Sequence, residues 1–230
     1  MTVYKKNWEA SYEREENHIY FPKEQCVKFL SRFVGKRIGL EGIAYYDERF
    51  AASEALDFGC GIGAQTQLLA DFGFTVTGVD ISQSAIFKAK EIYPELSDSF
   101  RLISGDGSLV FEDNQFSVAI ADSVLDSMHF EYAKKSLAEL DRVTDGYVFI
   151  SLVGSSMSPN SAMEEVVKTK HEFGTIQSYF DKAKTEALLE NTQFRIVYQN
   201  TVTDFNDLAG QLYDARTFIV LSNRATESNV

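Results

Sequence analysis

The chain has 230 residues, of which 44% are hydrophobic and 24% charged, a composition typical of one globular domain with a full core. Its net charge of -12 disfavours a polyphosphate partner, and no basic stripe offsets it, so we expect no nucleic-acid substrate. The longest apolar run, residues 147–153, is far shorter than the roughly 20 residues of a membrane helix, and the N-terminus is polar, which predicts a cytoplasmic protein without membrane contact.

The first element that the pattern predicts is a helix after Pro22. Cys26, Phe29, Leu30 and Phe33 fall at positions i, i+3, i+4 and i+7, so their side chains share one helix face. We predict that residues 1–50 form an N-terminal helical cap over the rest of the chain.

Strand-like and helix-like segments then alternate, which is typical of a parallel sheet between helices. Seven runs rich in apolar and β-branched residues predict strands at 55–58, 75–79, 100–104, 116–121, 147–152, 194–198 and 217–221. Apolar periodicity predicts helices near 64–72, 82–94, 133–140 and 178–190.

These elements predict an α/β fold in which a Rossmann-like sheet of seven mostly parallel strands carries helices on both faces, with the last strand antiparallel. Residues 51–230 form the main domain, and the chain is effectively a single domain. The polar stretch within residues 154–176 is long for a structureless loop, so we expect a lid or a surface insertion there.

A glycine-rich segment follows the first strand of this sheet, at the edge where open α/β sheets bind ligands. Gly59, Gly61 and Gly63 permit a tight turn and let a ligand lie against the backbone. Asp57 adds a carboxylate at the strand end, where it suits a cationic amino group or a tightly held loop amide.

Acids also follow the next two strands. Asp80 stands 21 residues after Gly59, where a carboxylate can accept hydrogen bonds from both ribose hydroxyls. Asp106 follows the third strand, where it can accept from an exocyclic amine. Taken singly, Asp80 could instead cap the following helix, and Asp106 could make a turn with its flanking glycines. Together, acids at three strand ends favour a ligand that contains a nucleoside.

The segment Ala55–Gly63, ALDFGCGIG, resembles the first motif of class I S-adenosylmethionine (SAM)-dependent methyltransferases, and the similarity extends to Leu152. One departure is Phe116-Ser117, where many members of that family have Phe-Asp. The resemblance implies that SAM is the cofactor and S-adenosylhomocysteine (SAH) the product. It implies cofactor binding by Asp57, Gly59, Cys60, Gly61, Gly63, Asp80, Ile81, Asp106, Gly107 and Ala121, with Tyr12 and Tyr20 in an N-terminal roof over the cofactor.

The same resemblance implies methyl transfer to a small molecule, for which alignment of the acceptor and exclusion of water matter most. His129 follows the fourth strand and is our first candidate for a catalytic base, with Asp126 as the alternative; a structural role for His129 stays open. Residues 174–180 faintly resemble methyltransferases of bacterial glycan and natural-product pathways. We therefore expect O-methylation of a sugar, a glycan precursor or a natural product.

Two other functions remain open from the sequence. Gly59-x-Gly61-x-x-Ala64 also satisfies a relaxed dinucleotide fingerprint, which would fit an NAD(P)-dependent oxidoreductase, although the charge of Asp57 opposes a pyrophosphate. A SAM-binding regulatory protein without catalysis would keep the same cofactor residues. Two isolated cysteines offer no disulfide framework or paired metal ligands, so we expect no metal, while a homodimer is left open.

Overall fold

A computed structural model describes residues 3–39, 42–158, 163–206 and 211–224. Its N-terminal region contains helix α1 (Val3–Glu13), helix α2 (Glu24–Phe33) and a hairpin of strands β1 (Gly35–Ile38) and β2 (Gly42–Tyr45). Helix α2 is the helix predicted after Pro22, and it buries Cys26, Phe29 and Leu30 as its spacing requires. Helix α1 lies within the predicted helical cap, although its bounds were not predicted, and the hairpin was not predicted. The domain boundary at residue 50 stays a prediction.

The centre of the molecule is the predicted seven-stranded sheet. In the spatial order β10-β11-β7-β6-β3-β4-β5, strand β11 runs antiparallel to both of its neighbours, and the other six strands run in one direction. The predicted fold class is therefore confirmed. The strands are β3 (Glu54–Phe58), β4 (Thr75–Asp80), β5 (Phe100–Leu102), β6 (Phe116–Ala121), β7 (Thr144–Val153), β10 (Arg195–Asn206) and β11 (Gln211–Ser222).

Four further helices accompany the sheet: α3 (Ala64–Asp71), α4 (Gln83–Ile92), α5 (Phe130–Val143) and α6 (Lys182–Leu189). Ser82 caps α4, because its side-chain oxygen accepts a hydrogen bond of 3.1 Å from the backbone N–H of Ala85. Successive residues of β11 point to opposite faces of the sheet and join two different apolar clusters. Ile219 packs with Leu137 of α5, and Val220 packs with Phe29 of α2. Helices thus cover both faces, and no helix in the described ranges is long and apolar enough to cross a membrane.

The stretch that the sequence predicts as a lid or an insertion contains a second small hairpin. Strand β8 (Glu164–Val166) pairs antiparallel with β9 (Ile176–Ser178). Residues 159–162 of this stretch lie outside the described part of the chain. Ser178 ties the hairpin to the main domain, because its hydroxyl donates a hydrogen bond of 3.0 Å to the backbone oxygen of Met128.

Candidate functional site

The glycine loop after β3 is fastened to the neighbouring strand β4 through its own backbone. The N–H groups of Gly59 and Cys60 both donate to the carbonyl oxygen of Val79, at 2.8 and 2.9 Å. The N–H of Gly61 donates to Oδ2 of Asp80 at 2.9 Å. Because these three amides are already paired inside the protein, they point away from any ligand that lies over the loop.

Two of the glycines leave no room for a side chain. Gly59 has a φ of 75°, and a Cβ there would lie 2.4 Å from Cγ2 of Val124. Gly61 has a φ of 53°, and its Cβ would lie 2.6 Å from the hydroxyl oxygen of Tyr12. A left-handed φ costs an L-residue about 1–2 kcal/mol even without such contacts. The sequence motif therefore reflects both the turn and the close approach of α1.

Asp57 and Asp80 are almost completely buried at the ends of β3 and β4. Asp80 also accepts a hydrogen bond of 2.8 Å from the backbone N–H of Ser82, and burial raises its pKa to about 6. Asp57 accepts a hydrogen bond of 2.6 Å from the hydroxyl of Thr66, and burial raises its pKa to about 7. Asp80 lines the cleft described next, whereas Asp57 does not and instead links β3 to α3.

An apolar chamber lies between α1 and the carboxyl ends of β3, β4 and β5. Asp80 supplies a carboxylate to a wall that is otherwise mostly apolar and aromatic. A flat ring with a polar sugar matches this combination. The other lining residues include Tyr4, Trp8, Tyr12, Phe58, Ile81, Ile103, Gly107, Met128 and Tyr132.

A polar chamber adjoins it. Gly59 lines both chambers, so the two compartments meet at the start of the glycine loop. Trp8, Tyr12, Ser123 and Ser127 are also shared by both walls. The residues that line only the polar chamber include Asn17, Lys23, Cys60, Gly61, Gln65, Asp122, Asp126, His171, Glu172, Gln177 and Arg216.

Two ion pairs form one wall of the polar chamber. Lys23 Nζ lies 2.9 Å from Oδ2 of Asp122, and Arg216 Nη1 lies 3.0 Å from Oδ2 of Asp126. The hydroxyl oxygen of Ser123 accepts from both cations, at 2.8 Å from Lys23 and 3.0 Å from Arg216. These contacts join the N-cap residue of α2, the loop after β6 and strand β11 into one charged surface.

The two predicted bases occupy different environments. Asp126 lines the polar chamber, where it is 1% exposed and also accepts from the backbone N–H of Val153 at 3.0 Å. Burial raises its pKa, while Arg216 opposes that rise. His129 instead stands at the start of α5, where its exposed ring contacts the carboxylate of Glu164, and it lines neither chamber.

Several predicted cofactor residues lie away from the cleft surface. Asp106 is exposed in a turn, where hydrogen bonds from Ser108 lower its pKa to about 2, although Gly107 beside it lines the apolar chamber. Tyr20 is 52% exposed and lines neither chamber. Ala121 is fully buried at the end of β6. Gly63 is the N-cap residue of α3 and lines neither chamber.

The residues brought together at the cleft are Tyr12, Gly59, Cys60, Gly61, Asp80, Ile81 and Gly107.

Helix α1 closes the cleft from the side opposite the sheet. Glu9 accepts hydrogen bonds from the backbone N–H groups of Gln83 and Ser84, at 2.7 and 3.0 Å, and from the hydroxyls of Ser82 and Ser84, at 2.8 and 2.6 Å. These bonds attach α1 to the first turn of α4, where the helix dipole favours an anion.

The remaining cleft residues of α1 share a simple spacing. Trp8 and Tyr12 follow Tyr4 at intervals of four residues, so all three point to the same side, and Tyr12 is one of the two residues that the sequence predicts as part of a roof. From this spacing, the sequence could have predicted that Tyr4 lies on the same helix face as Trp8 and Tyr12. The sequence carried no comparable signal for Lys23 or Arg216.

An open α/β sheet with a glycine turn, a buried acid after the second strand and a two-part cleft defines a protein that binds a nucleoside-containing ligand. A family model described as a methyltransferase domain matches residues 56–150. The match spans less than half of the chain, and it agrees with the resemblance of the glycine segment to the SAM-dependent methyltransferases. SAM is the cofactor of that family, in agreement with the cofactor prediction.

Two curated relatives match parts of the chain. A 2-methyl-6-phytyl-1,4-hydroquinone methyltransferase of Synechocystis is 39% identical over 64 residues, which are 27% of this chain and 20% of that protein. A sterol 4-C-methyltransferase of Caenorhabditis elegans is 35% identical over 91 residues, which are 38% of this chain and 25% of that protein. The chain therefore spans only about a fifth to a quarter of the length of these two relatives.

A solved structure supports the fold over nearly the whole chain. The 1,6-didemethyltoxoflavin-N1-methyltransferase of Burkholderia thailandensis, with bound 1,6-didemethyltoxoflavin and SAH, superposes with a TM-score of 0.64 at 17% identity. The match covers 94% of this chain and 87% of that one. At this identity the similarity establishes a common fold.

Proposed function

We propose that this protein transfers the methyl group of SAM to a small molecule and releases SAH. The observation that carries the proposal is the two-part cleft whose chambers meet at Gly59. Adenosine suits the apolar chamber, where Asp80 faces the ribose. The methionyl part and the acceptor suit the polar chamber, so the sulfonium would stand at the junction between them.

The backbone of the glycine loop favours SAM over a dinucleotide. A pyrophosphate needs unpaired N–H groups in such a loop, whereas those of Gly59, Cys60 and Gly61 already donate to β4. The buried carboxylates of Asp57 and Asp80 would also oppose two phosphates. These contacts argue against the oxidoreductase alternative that the sequence left open.

The acceptor that we propose is a small polar molecule methylated on oxygen. Amide, carboxylate and hydroxyl groups line the polar chamber and can orient hydroxyl groups of a sugar or a natural product. Gln177, within the segment 174–180 that favoured an oxygen acceptor, contributes to this wall. The relatives act on different atoms, as one name specifies a carbon and another N1.

The protein's own part in the reaction is alignment and exclusion of water. With α1 held by Glu9 across the cleft, the chambers are screened from solvent on the side opposite the sheet. We propose that Asp126 orients Arg216 through their ion pair and that His129 has a structural role at the start of α5. A cytoplasmic location and a homodimer stay predictions.

The proposal is tested first by calorimetry with SAM, SAH and NAD. We expect binding of SAM and SAH, weaker binding by Asp80→Asn, and unchanged binding by Asp98→Asn, which removes an exposed acid of the same type outside both chambers. Preference for NAD would contradict the proposal.

Methyl-labelled SAM and a cell extract separated by molecular size then test the acceptor class. We expect label in the small-molecule fraction. Label confined to protein or nucleic acid would refute a small-molecule acceptor, and the absence of any transfer would favour a regulatory SAM-binding protein.

A further inference from the structure

The charged groups that line the polar chamber are not balanced. Lys23 and Arg216 are its two cationic side chains, and they pair with Asp122 and Asp126. Glu172 is a third carboxylate in the same wall. The described lining therefore carries one formal negative charge in excess when all three acids are ionised and His171 is neutral.

Glu172 is held in the chamber wall by contacts with the N-terminal region. Its backbone N–H donates to Oε2 of Glu16 at 2.9 Å, and the next glycine, Gly174, accepts a hydrogen bond from the side chain of Asn7 through its backbone oxygen. Its φ of 57° is left-handed, a conformation that costs a non-glycine residue about 1–2 kcal/mol and that the surrounding contacts must maintain. These contacts hold the backbone of Glu172, and its side chain is 25% exposed.

One basic and two acidic side chains face Glu172. His171 lies 3.6 Å away on its own segment, Glu16 faces it from the loop after α1, and Asp126 faces it from across the chamber, while Tyr12 approaches it from α1. Burial raises the pKa of Glu172, the ring of His171 and a side-chain hydrogen bond with Asn17 oppose that rise, and the two neighbouring carboxylates add to it. A cationic ligand in the chamber would relieve this repulsion.

The two forms of the cofactor differ by one charge at the reacting sulfur. SAM carries a sulfonium, an ammonium and a carboxylate, whereas SAH has lost the methyl group together with the sulfonium charge. We propose that Glu172 is the charge partner of the SAM sulfonium, so that the polar chamber prefers SAM to SAH and the attraction disappears when the methyl group leaves. This inference rests on the proposed function, and it assigns Glu172 a binding role that favours product release.

The test compares SAM and SAH as calorimetric probes of the full-length chain and needs no acceptor. In Glu172→Gln we expect the preference for SAM over SAH to fall about five- to tenfold, through weaker SAM binding at unchanged SAH affinity. Glu131→Gln removes an equal charge from the exposed first turn of α5 and should leave the preference unchanged. Binding of SAH by Glu172→Gln also shows that the variant is folded.

The pH dependence of the same preference gives a second measurement on the unmodified protein. Protonation of Glu172 removes its charge, so the preference for SAM should decline as the pH falls through the pKa of this carboxyl group. Asp80 faces the nucleoside, which SAM and SAH share, so its titration cancels in the ratio. In Glu172→Gln the ratio should not vary with pH.

The outcomes separate this inference from the proposed function. Binding of both ligands with the same preference in Glu172→Gln as in the unmodified protein overturns the inference and leaves the proposed function standing. A pH-dependent preference that persists in Glu172→Gln assigns the effect to another ionisable group of the chamber, Asp126 or His171, and also overturns the inference. If Glu172→Gln does not fold, a pH-independent preference in the unmodified protein decides against it. Failure of the unmodified protein to bind either ligand rejects both.

Discussion

Asp80→Asn should change the pH dependence of the stability of the ligand-free protein and weaken its binding of SAM. Burial raises the pKa of Asp80 from 3.8 to about 6, so the folded state favours the uncharged acid, and asparagine is also uncharged. Asparagine keeps only one of the two oxygens that accept from Gly61 and Ser82, which costs stability at every pH. Two pK units correspond to about 3 kcal/mol, so we expect the free energy of unfolding of the variant to gain about 1–3 kcal/mol on that of the unmodified protein between pH 4 and pH 8.

The sign of this effect follows from proton binding. Between about pH 4 and pH 6 the folded state binds more protons at Asp80 than the unfolded state, so stability falls as the pH rises through this window. The free energy of unfolding of Asp80→Asn, compared with that of the unmodified protein, should therefore rise between about pH 4 and pH 6 and change little above that window. Chemical denaturation at several pH values measures that difference.

Binding of SAM should respond in the opposite direction. The carboxylate oxygens of Asp80 already accept from Gly61 and Ser82, and each keeps a lone pair for a ribose hydroxyl. Loss of charge-assisted hydrogen bonds should weaken SAM binding by about 1–3 kcal/mol, measured by calorimetry at pH 8. An Asp80→Asn variant that is destabilised equally at pH 4 and pH 8 and binds SAM normally would refute this reasoning.

Three further perturbations test other parts of the site. Asp57→Asn should raise the free energy of unfolding by about 1–3 kcal/mol at pH 8 and leave it unchanged near pH 4, because burial raises the pKa of Asp57 to about 7. Denaturation curves that show equal effects at both pH values would contradict this prediction. Gly59→Ala should weaken SAM binding more than tenfold and lower stability by about 1–3 kcal/mol, since its Cβ would lie 2.4 Å from Val124. Adding Val124→Ala should restore part of the calorimetric affinity, and no recovery would exclude that contact as the cause. Glu9→Ala should speed SAM dissociation about five- to thirtyfold in stopped-flow measurements, because α1 loses its attachment to α4; an unchanged rate would show that α1 does not retain the ligand.

The N-terminal region shows where local sequence patterns stop being informative. Helix α2 was predicted because its apolar residues repeat at helical spacing and are buried. Helix α1 has 11 residues, and its ordering depends on contacts far along the chain, such as the bond from the Trp8 indole to the backbone oxygen of Ser127 at 3.3 Å. Nothing within residues 3–13 encodes those partners.

The two predicted bases show that local sequence was also insufficient to assign residues to the site. His129 and Asp126 are close in sequence after the same strand, and sequence position alone could not distinguish them. The short helical turn Leu125–Ser127 directs Asp126 to the ion pair with Arg216, whereas His129 begins α5 and contacts Glu164. Which of them faces the cleft depends on segments that come much later in the chain.

The amino-acid sequence by itself determined the order of the strands and helices of the central sheet, the parallel arrangement, the glycine turn and the acid after the second strand. Apolar periodicity and turn residues act over a few positions, and parallel strands bring their carboxyl ends to one edge, so these features follow from local order. Only the tertiary structure decided the lining of the polar chamber. Lys23 and Arg216 reach Ser123 from 100 and 93 positions away, and Glu172 arrives on a separate hairpin segment. Their charges interact only because folding brings these residues to one place, and no local sequence pattern predicts that they meet.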